Sequence, residues 1–247
     1  MRLLISAIFT FILTSSAFAY DTWYVRADGG TSSQCTGKFN APYPGSGTAQ
    51  PCGLKHPQWV LGAGSTPGIY SGGDMILIDG SYKIGYFSGE NVGGCSAAAA
   101  YDCYIPPIKD GTSGNRTKIY GSHWNLGCDR KAELYGSGRL TGIIGMGGSD
   151  HVEFQCIELT QHSTCNEFIS GVHPNNCSTS SPYTDDNYSR RGIWTDPASG
   201  VYSTDVLFKN MYIHRLGIYG IQMSIVKDIV IQDTVIEGIA EGSPIQF

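Results

Sequence analysis

Trp194, Gln222 and Gln246 hold the same place in three copies of a short pattern, Gly192-Ile193-Trp194, Gly220-Ile221-Gln222 and Pro244-Ile245-Gln246, spaced by 28 and 24 residues. Side chains alternate along a strand, so if Ile193 and Thr195 point inward, Trp194 and Asp196 point outward, with Gln222 and Gln246 beside Trp194 on later strands. An indole plate next to amides suits a sugar chain: the ring covers CH faces and the amides bond hydroxyls. An ordinary polar sheet face has the same composition, and that reading stays open. Charges gather in the segments leading into these strands: Asp185, Asp186, Arg190 and Arg191 before Gly192, His214 and Arg215 before Gly220, and Glu241 before Pro244. A uronic-acid lyase needs a cation to neutralise the substrate carboxylate and a base to take the α-proton, whereas a glycoside hydrolase needs two carboxylates. The set meets either need. Asp196, His214, Arg215 and Arg191 are the candidate catalytic residues; Trp194, Gln222, Gln246, Asp186 and Glu241 are the candidate substrate contacts. For His214, a solvated turn or a hydrogen bond to a neighbouring loop is the competing role.

Other common chemistries fail on their spacing. No serine has the G-x-S-x-G surround and no H-E-x-x-H occurs. Gly136-Ser-Gly138-Arg-Leu-Thr141 ends in Thr where a dinucleotide loop needs Gly. There is no C-x-x-C pair and no zinc-like histidine spacing. No cofactor is read from the sequence. Calcium is left open, although Asp205, Asp228, Asn210 and Asp233 suit turns and bends better than ion ligands.

The elements that must position these residues are set by an internal repeat. Val206-Leu-Phe208-Lys-Asn210-Met211-Tyr-Ile213 aligns without gaps on Ile229-Val-Ile231-Gln-Asp233-Thr234-Val-Ile236, a shift of 23 residues, and each follows an Asp, at 205 and 228. Val152-Glu-Phe154-Gln-Cys156-Ile157-Glu-Leu159 is a third copy, after Asp150. The apolar positions alternate, pause at Cys156, Asn210 or Asp233, and alternate again. Two short strands therefore meet at a bend where Asn or Asp adopts the left-handed conformation. With the Gly-Ile element, each unit holds three short strands, none able to bury its apolar face alone, and stacking the units buries a continuous column. Leucine-rich repeats share the period but need a Leu-x-x-Leu-x-Leu signature that is missing. A β-sandwich does not demand the same period twice.

These residues resemble the secreted right-handed parallel β-helix proteins of the pectin-lyase-like superfamily. Gly73-Asp74-Met-Ile-Leu-Ile-Asp-Gly80-Ser-Tyr82 is similar to its first-coil signature, the Asp-Val-x-Phe-x-Asn unit to its later rungs, and Thr22-Trp-Tyr-Val-Arg-x-Asp-Gly-Gly30 to the entry of uncharacterised bacterial members. The resemblance covers roughly residues 20–247. It implies an all-β solenoid with a loop-rich N-terminal cap (20–71) and β-helix coils (72–247), broken by excursions at 90–115 and 161–191. Pro57 to Leu61 is expected to form one helical turn. Phe247 falls inside a repeat strand, so the chain reads as truncated. The Asn-Thr-Asp, Gly-His-Gly, Arg-Ile-Lys and Arg-x-Pro-x-x-Arg sets of the family's enzymes are missing, so no catalytic residue carries over.

Residues 1–19 read as an export signal: Arg2, an apolar run from Leu3 to Leu13, and Ala17-Phe18-Ala19 as the cleavage site. That run is too short to span a bilayer, and no later one is long enough. Removing it leaves 15 basic against 21 acidic residues, a balance unsuited to nucleic acid or anionic membrane. The expected location is secreted or periplasmic, or the cell surface. Eight cysteines in an exported chain point to disulfides. Closing nearest neighbours pairs Cys35 with Cys52, Cys95 with Cys103, Cys128 with Cys156, and Cys165 with Cys177. Glycine-rich (33 residues), 11% aromatic and only 15% charged, the composition excludes a disordered chain and a helical bundle. The expected function is a polysaccharide-active or polysaccharide-binding protein, as a lyase or glycoside hydrolase in its enzymatic form. The alternative is a non-catalytic surface or adhesion module.

Overall fold

The computed structural model describes residues 20–86, 95, 97–138, 140–163, 188–195, 200–239 and 242–247, with the side chains of 97–99 left aside. The expected export signal, Asp186, Asp196, Glu241, Cys165 and Cys177 lie outside them. Three parallel sheets hold nearly all the strands. The first contains β1 (Thr22–Gly30), β4 (Met75–Asp79), β6 (Thr117–Gly121), β9 (Asp150–Gln155), β12 (Ser203–Lys209) and β15 (Val226–Gln232), hydrogen-bonded in that order. The second contains β5 (Ser81–Ile84), β7 (Ala132–Gly136), β10 (Ile157–Thr160), β13 (Tyr212–His214) and β16 (Val235–Glu237). The third contains β8 (Ile144–Gly145), β11 (Arg191–Trp194), β14 (Tyr219–Gln222) and β17 (Ile245–Gln246). A two-stranded antiparallel pair, β2 (Gly62–Ala63) with β3 (Thr66–Pro67), follows the one-turn helix α1 (Gln58–Leu61). From β7 onward the chain visits second, third and first sheet in strict rotation, so each circuit adds one strand to every sheet.

The sequence repeat and the strand register coincide. Val152, Val206 and Ile229 are successive partners, as are Phe154, Phe208 and Ile231. Leu159, Ile213 and Ile236 form the equivalent row in the second sheet, and Ile144, Ile193, Ile221 and Ile245 in the third. Ile105 extends the third row by a bridge to Ile144. Most of these side chains are fully buried, and a buried aliphatic or aromatic side chain contributes roughly 1.5–3 kcal/mol. Strands of two to seven residues owe their order to these rows rather than to propensity. The helical turn falls where the sequence places it, with Val60 and Leu61 buried. The segment expected to be a loop-rich cap also supplies β1, which pairs with β4 from Thr22 to Arg26 and buries Trp23 and Val25.

The bends are left-handed at the expected places. Cys156, Asn210 and Asp233 have φ of 58°, 51° and 48°, one per circuit where the first sheet gives way to the second. His151, Asp205 and Asp228 form a second such row at 53°, 50° and 55°. Asn and Asp enter this region at least cost among residues with a Cβ. Replacing Asn210 by Val should therefore destabilise the fold by about 1–2 kcal/mol, while Asn210→Gly holds its stability, as read from urea midpoints.

Asp205 also accepts hydrogen bonds from Arg116 and, at 2.7 Å, is paired with His151 Nδ1. The Arg116 guanidinium first, and His151 second, hold its carboxyl below the ordinary value of 3.8. A depressed carboxylate stabilises the fold above that ordinary value and loses the contribution as pH falls through its lower folded value. Arg116→Met should thus cost under about 1 kcal/mol near neutrality, because the pair is partly exposed. The deficit should close on acidification below 3.8, which denaturation at a series of pH values would show.

Cys35–Cys52 and Cys128–Cys156 are disulfides, as nearest-neighbour closure expects. Cys95 and Cys103 depart from that expectation. They are buried thiols with no disulfide between them, and hydrogen bonding to Cys103, then burial, raises the Cys95 thiol. Closing loops of 17 and 28 residues, each disulfide removes about 3–4 kcal/mol of unfolded-chain entropy on the loop-closure account. The second ties the 122–131 loop over the outer face of the first sheet, where Tyr120 and Gln155 become buried. Among the described residues no helix is long and apolar enough to cross a membrane.

Candidate functional site

The outward face of the third sheet carries the sequence-derived strip. Gly145, Trp194, Gln222 and Gln246 are consecutive register partners. Ile193 and Thr195 are buried, as the alternation requires, and Trp194 is half-buried. The Gln222 amide donates to Gln246 at 2.6 Å. Three residues before Trp194, Arg191 is the register partner of Tyr219. Its guanidinium carbon lies 6.0 Å from the Trp194 ring centre and 5.9 Å from that of Tyr219, and its Nη1 donates to the Thr141 carbonyl at 3.1 Å. The cation thus lies at the outer limit of cation–π range from both rings.

Two glycines make room for the aromatic rings, Gly142 for the indole and Gly145 for Tyr104. A Cβ on Gly142 would lie 2.3 Å from Trp194 Cδ1, and one on Gly145 would lie 2.8 Å from the Tyr104 ring. Tyr104 therefore lies over Gly145 and meets Trp194 edge-on, with ring centres 5.2 Å apart and an interplanar angle of 87°. Edge-to-face contact of this kind fixes a ring without covering its face. Trp194 Nε1 is buried and has no partner among the described residues. The resulting surface offers an aromatic face and two amides in one row, with a guanidinium and Tyr219 beside it.

Sequence reasoning missed Tyr104 and Tyr219. Tyr219 was legible, because it precedes Gly220 as Arg191 precedes Gly192; Tyr104 was not, because its circuit lacks the Gly-Ile pattern. His214 and Arg215 are placed elsewhere. His214 ends β13 in the second sheet, where its Nε2 is 2.7 Å from Glu158 and its ring stacks on Tyr212 at 4.0 Å. Arg215 is exposed at a left-handed bend with φ 56°, its backbone N–H donating to the Glu237 carbonyl. Neither has a described contact with Trp194.

His214 belongs to a repeated arrangement. One circuit earlier, His162 pairs with Glu133 at 2.7 Å and stacks on Tyr135 at 4.0 Å. Glu133 and Glu158 are register partners, and Glu133 also accepts from Ser81. Tyr212 donates to Glu237 at 2.5 Å, which raises its phenol pKa, while burial first and then Glu133 raise that of Tyr135. Each imidazole reaches back to the carboxylate of the preceding circuit, so the row stitches circuits together. Carboxylate–imidazole pairs are also the usual means of moving protons.

No three His, Cys, Asp or Glu side chains converge to hold a metal ion among the described residues. Compared with known proteins, the chain matches no family model, no curated protein and no solved structure.

Proposed function

We propose that the chain is an exported right-handed parallel β-helix protein of the pectin-lyase-like kind, which takes an extracellular polysaccharide along the Trp194 strip. The right-handed sense is supported by the parallel crossovers between strands of one sheet, which are right-handed in about 98% of cases. Export is supported by the leader-like residues 1–19 and by two disulfides. The observation that carries the reading is the register row Trp194, Gln222 and Gln246 with the Arg191 guanidinium beside it, 6.0 Å from the Trp194 ring centre and 5.9 Å from that of Tyr219. Rings accept the CH faces of sugars, amides their hydroxyls, and a fixed guanidinium the carboxylate of a uronic acid.

Lyase or hydrolase action is the enzymatic form of this reading. A non-catalytic surface or adhesion module is the second reading, and one observation favours it. Gln222 and Arg191 are already bonded to protein partners, Gln246 and Thr141, as suits a rigid recognition surface. Incubating the chain without residues 1–19 with acidic and neutral polysaccharides separates the outcomes. New unsaturated ends mark a lyase, new reducing ends a hydrolase, and retention on an acidic polymer without cleavage a binding module. Failure to bind any polymer overturns the proposal.

A further inference from the structure

A second polar site lies at the other side of the fold. Arg26, Ala27, Asp28, Asp79, Gly80 and Arg130 line an open groove of about 390 Å³ at the C-terminal ends of β1 and β4, within the roughly 300–1,000 Å³ range of small-molecule pockets. Arg26 and Asp79 are register partners. The Arg26 guanidinium is spent on Asp28, through two nitrogens, and on Asn40.

Arg130 is held differently. Its Nη2 donates both to Asp79 Oδ1 and to His123 Nε2, each at 2.8 Å. Since His123 Nε2 accepts, its proton sits on Nδ1 and goes to Asp129 at 2.7 Å. The loop carrying these residues is fixed twice, by Cys128–Cys156 and by Ser122 Oγ donating to Asp79 Oδ1. Arg130 Nε and Nη1 have no partner among the described residues, and its side chain is 60% exposed. Asp79 Oδ2 likewise has none, with that side chain 47% exposed. A guanidinium fork and a carboxylate oxygen thus open onto one concavity, held by groups behind them.

The charges alternate in sign: Arg26 with Asp28, Arg130 with Asp79. A uronate or sulfate facing the fork would also face two carboxylates, and an ammonium would face two guanidiniums. Hydroxyl groups suit both, because they donate to carboxylates and accept from guanidinium. We infer that this groove binds an uncharged sugar, with vicinal hydroxyls donating to Asp79 and Asp28 and a hydroxyl or ring oxygen accepting from Arg130. The inference takes carbohydrate as the ligand class from the function proposed above, but uses none of the Trp194 strip.

Titration calorimetry with the exported chain tests it, using neutral trisaccharides of glucose, mannose, galactose or xylose in one arm and a trisaccharide of galacturonic acid in the other. At least one neutral trisaccharide should bind, lose at least about tenfold in affinity in Arg130→Met and in Asp28→Asn, and bind unchanged in Trp194→Ala. Asp28 is largely exposed, so Asp28→Asn preserves the fold if Arg130→Met does not. Three results overturn the inference: no neutral trisaccharide binds, binding survives both groove substitutions in folded protein, or the groove takes the uronate instead. Acidic polymer binding that depends on Trp194 would leave the strip standing in each case.

Discussion

Phe208→Ala is expected to lower the stability of the fold by about 3–5 kcal/mol, the range for deleting a fully buried aromatic side chain. Phe208 is completely buried on β12, between Phe154 on one side and Ile231 on the other. Its ring stacks on Phe154 with centres 5.5 Å apart and an interplanar angle of 24°. The inward row to which it belongs runs from Trp23 through Ile76, Ile119, Phe154 and Phe208 to Ile231. Regular hydrogen bonds above and below hold the backbone in register, so neighbours have little freedom to collapse into the space, and the cavity remains. Ile231→Ala should cost less, because that side chain is only partly buried. Urea midpoints of the two variants against the parent check the order. A loss below about 1.5 kcal/mol for Phe208→Ala would mean that the circuits repack, against the rigid rows described here.

Register was the most legible part of the fold. Parallel stacking with one left-handed residue per bend leaves no insertion between equivalent positions, so a gapless sequence alignment becomes a list of strand partners. Val206 on Ile229 and Trp194 beside Gln222 follow directly from it. The bends were legible for the same reason, since Asn210 and Asp233 interrupt the alternation where φ turns positive. Rotation about those bends was not. His214 lies six residues before Gly220 and was grouped with Trp194 by that proximity. The bend at Arg215 separates them, leaving His214 beside Glu158, on a different sheet from Gln222. Tyr104 was hidden because its approach to Trp194 depends on what Gly145 lacks, a relation between distant segments that no local pattern encodes. β1 lies inside the segment expected to be a loop-rich cap, and its Gly29 is there because the Gly53 carbonyl passes within 2.4 Å of where its Cβ would be.

Trp194→Ala is expected to weaken binding of an acidic polysaccharide by about thirtyfold or more, the loss of 2 kcal/mol or above that marks a dominant aromatic contact. The indole contributes in two ways that alanine cannot replace. It offers a ring face to the sugar, and it neighbours the Arg191 guanidinium, whose carbon lies 6.0 Å from its ring centre. Without the indole beside it the guanidinium keeps its bond to the Thr141 carbonyl but gains rotamers, and ordering it on binding then costs entropy. Trp194→Phe retains a ring and should recover part of the affinity. Gly142→Ala separates position from identity, because its Cβ would meet the indole at 2.3 Å and must push the ring aside while every strip residue remains. If the strip is the binding surface, Gly142→Ala loses affinity nearly as far as Trp194→Ala, whereas His214→Ala, on the second sheet, leaves binding intact. Equal binding by the parent chain, Trp194→Ala and Gly142→Ala in a polymer-retention assay would move the recognition surface off the third sheet altogether.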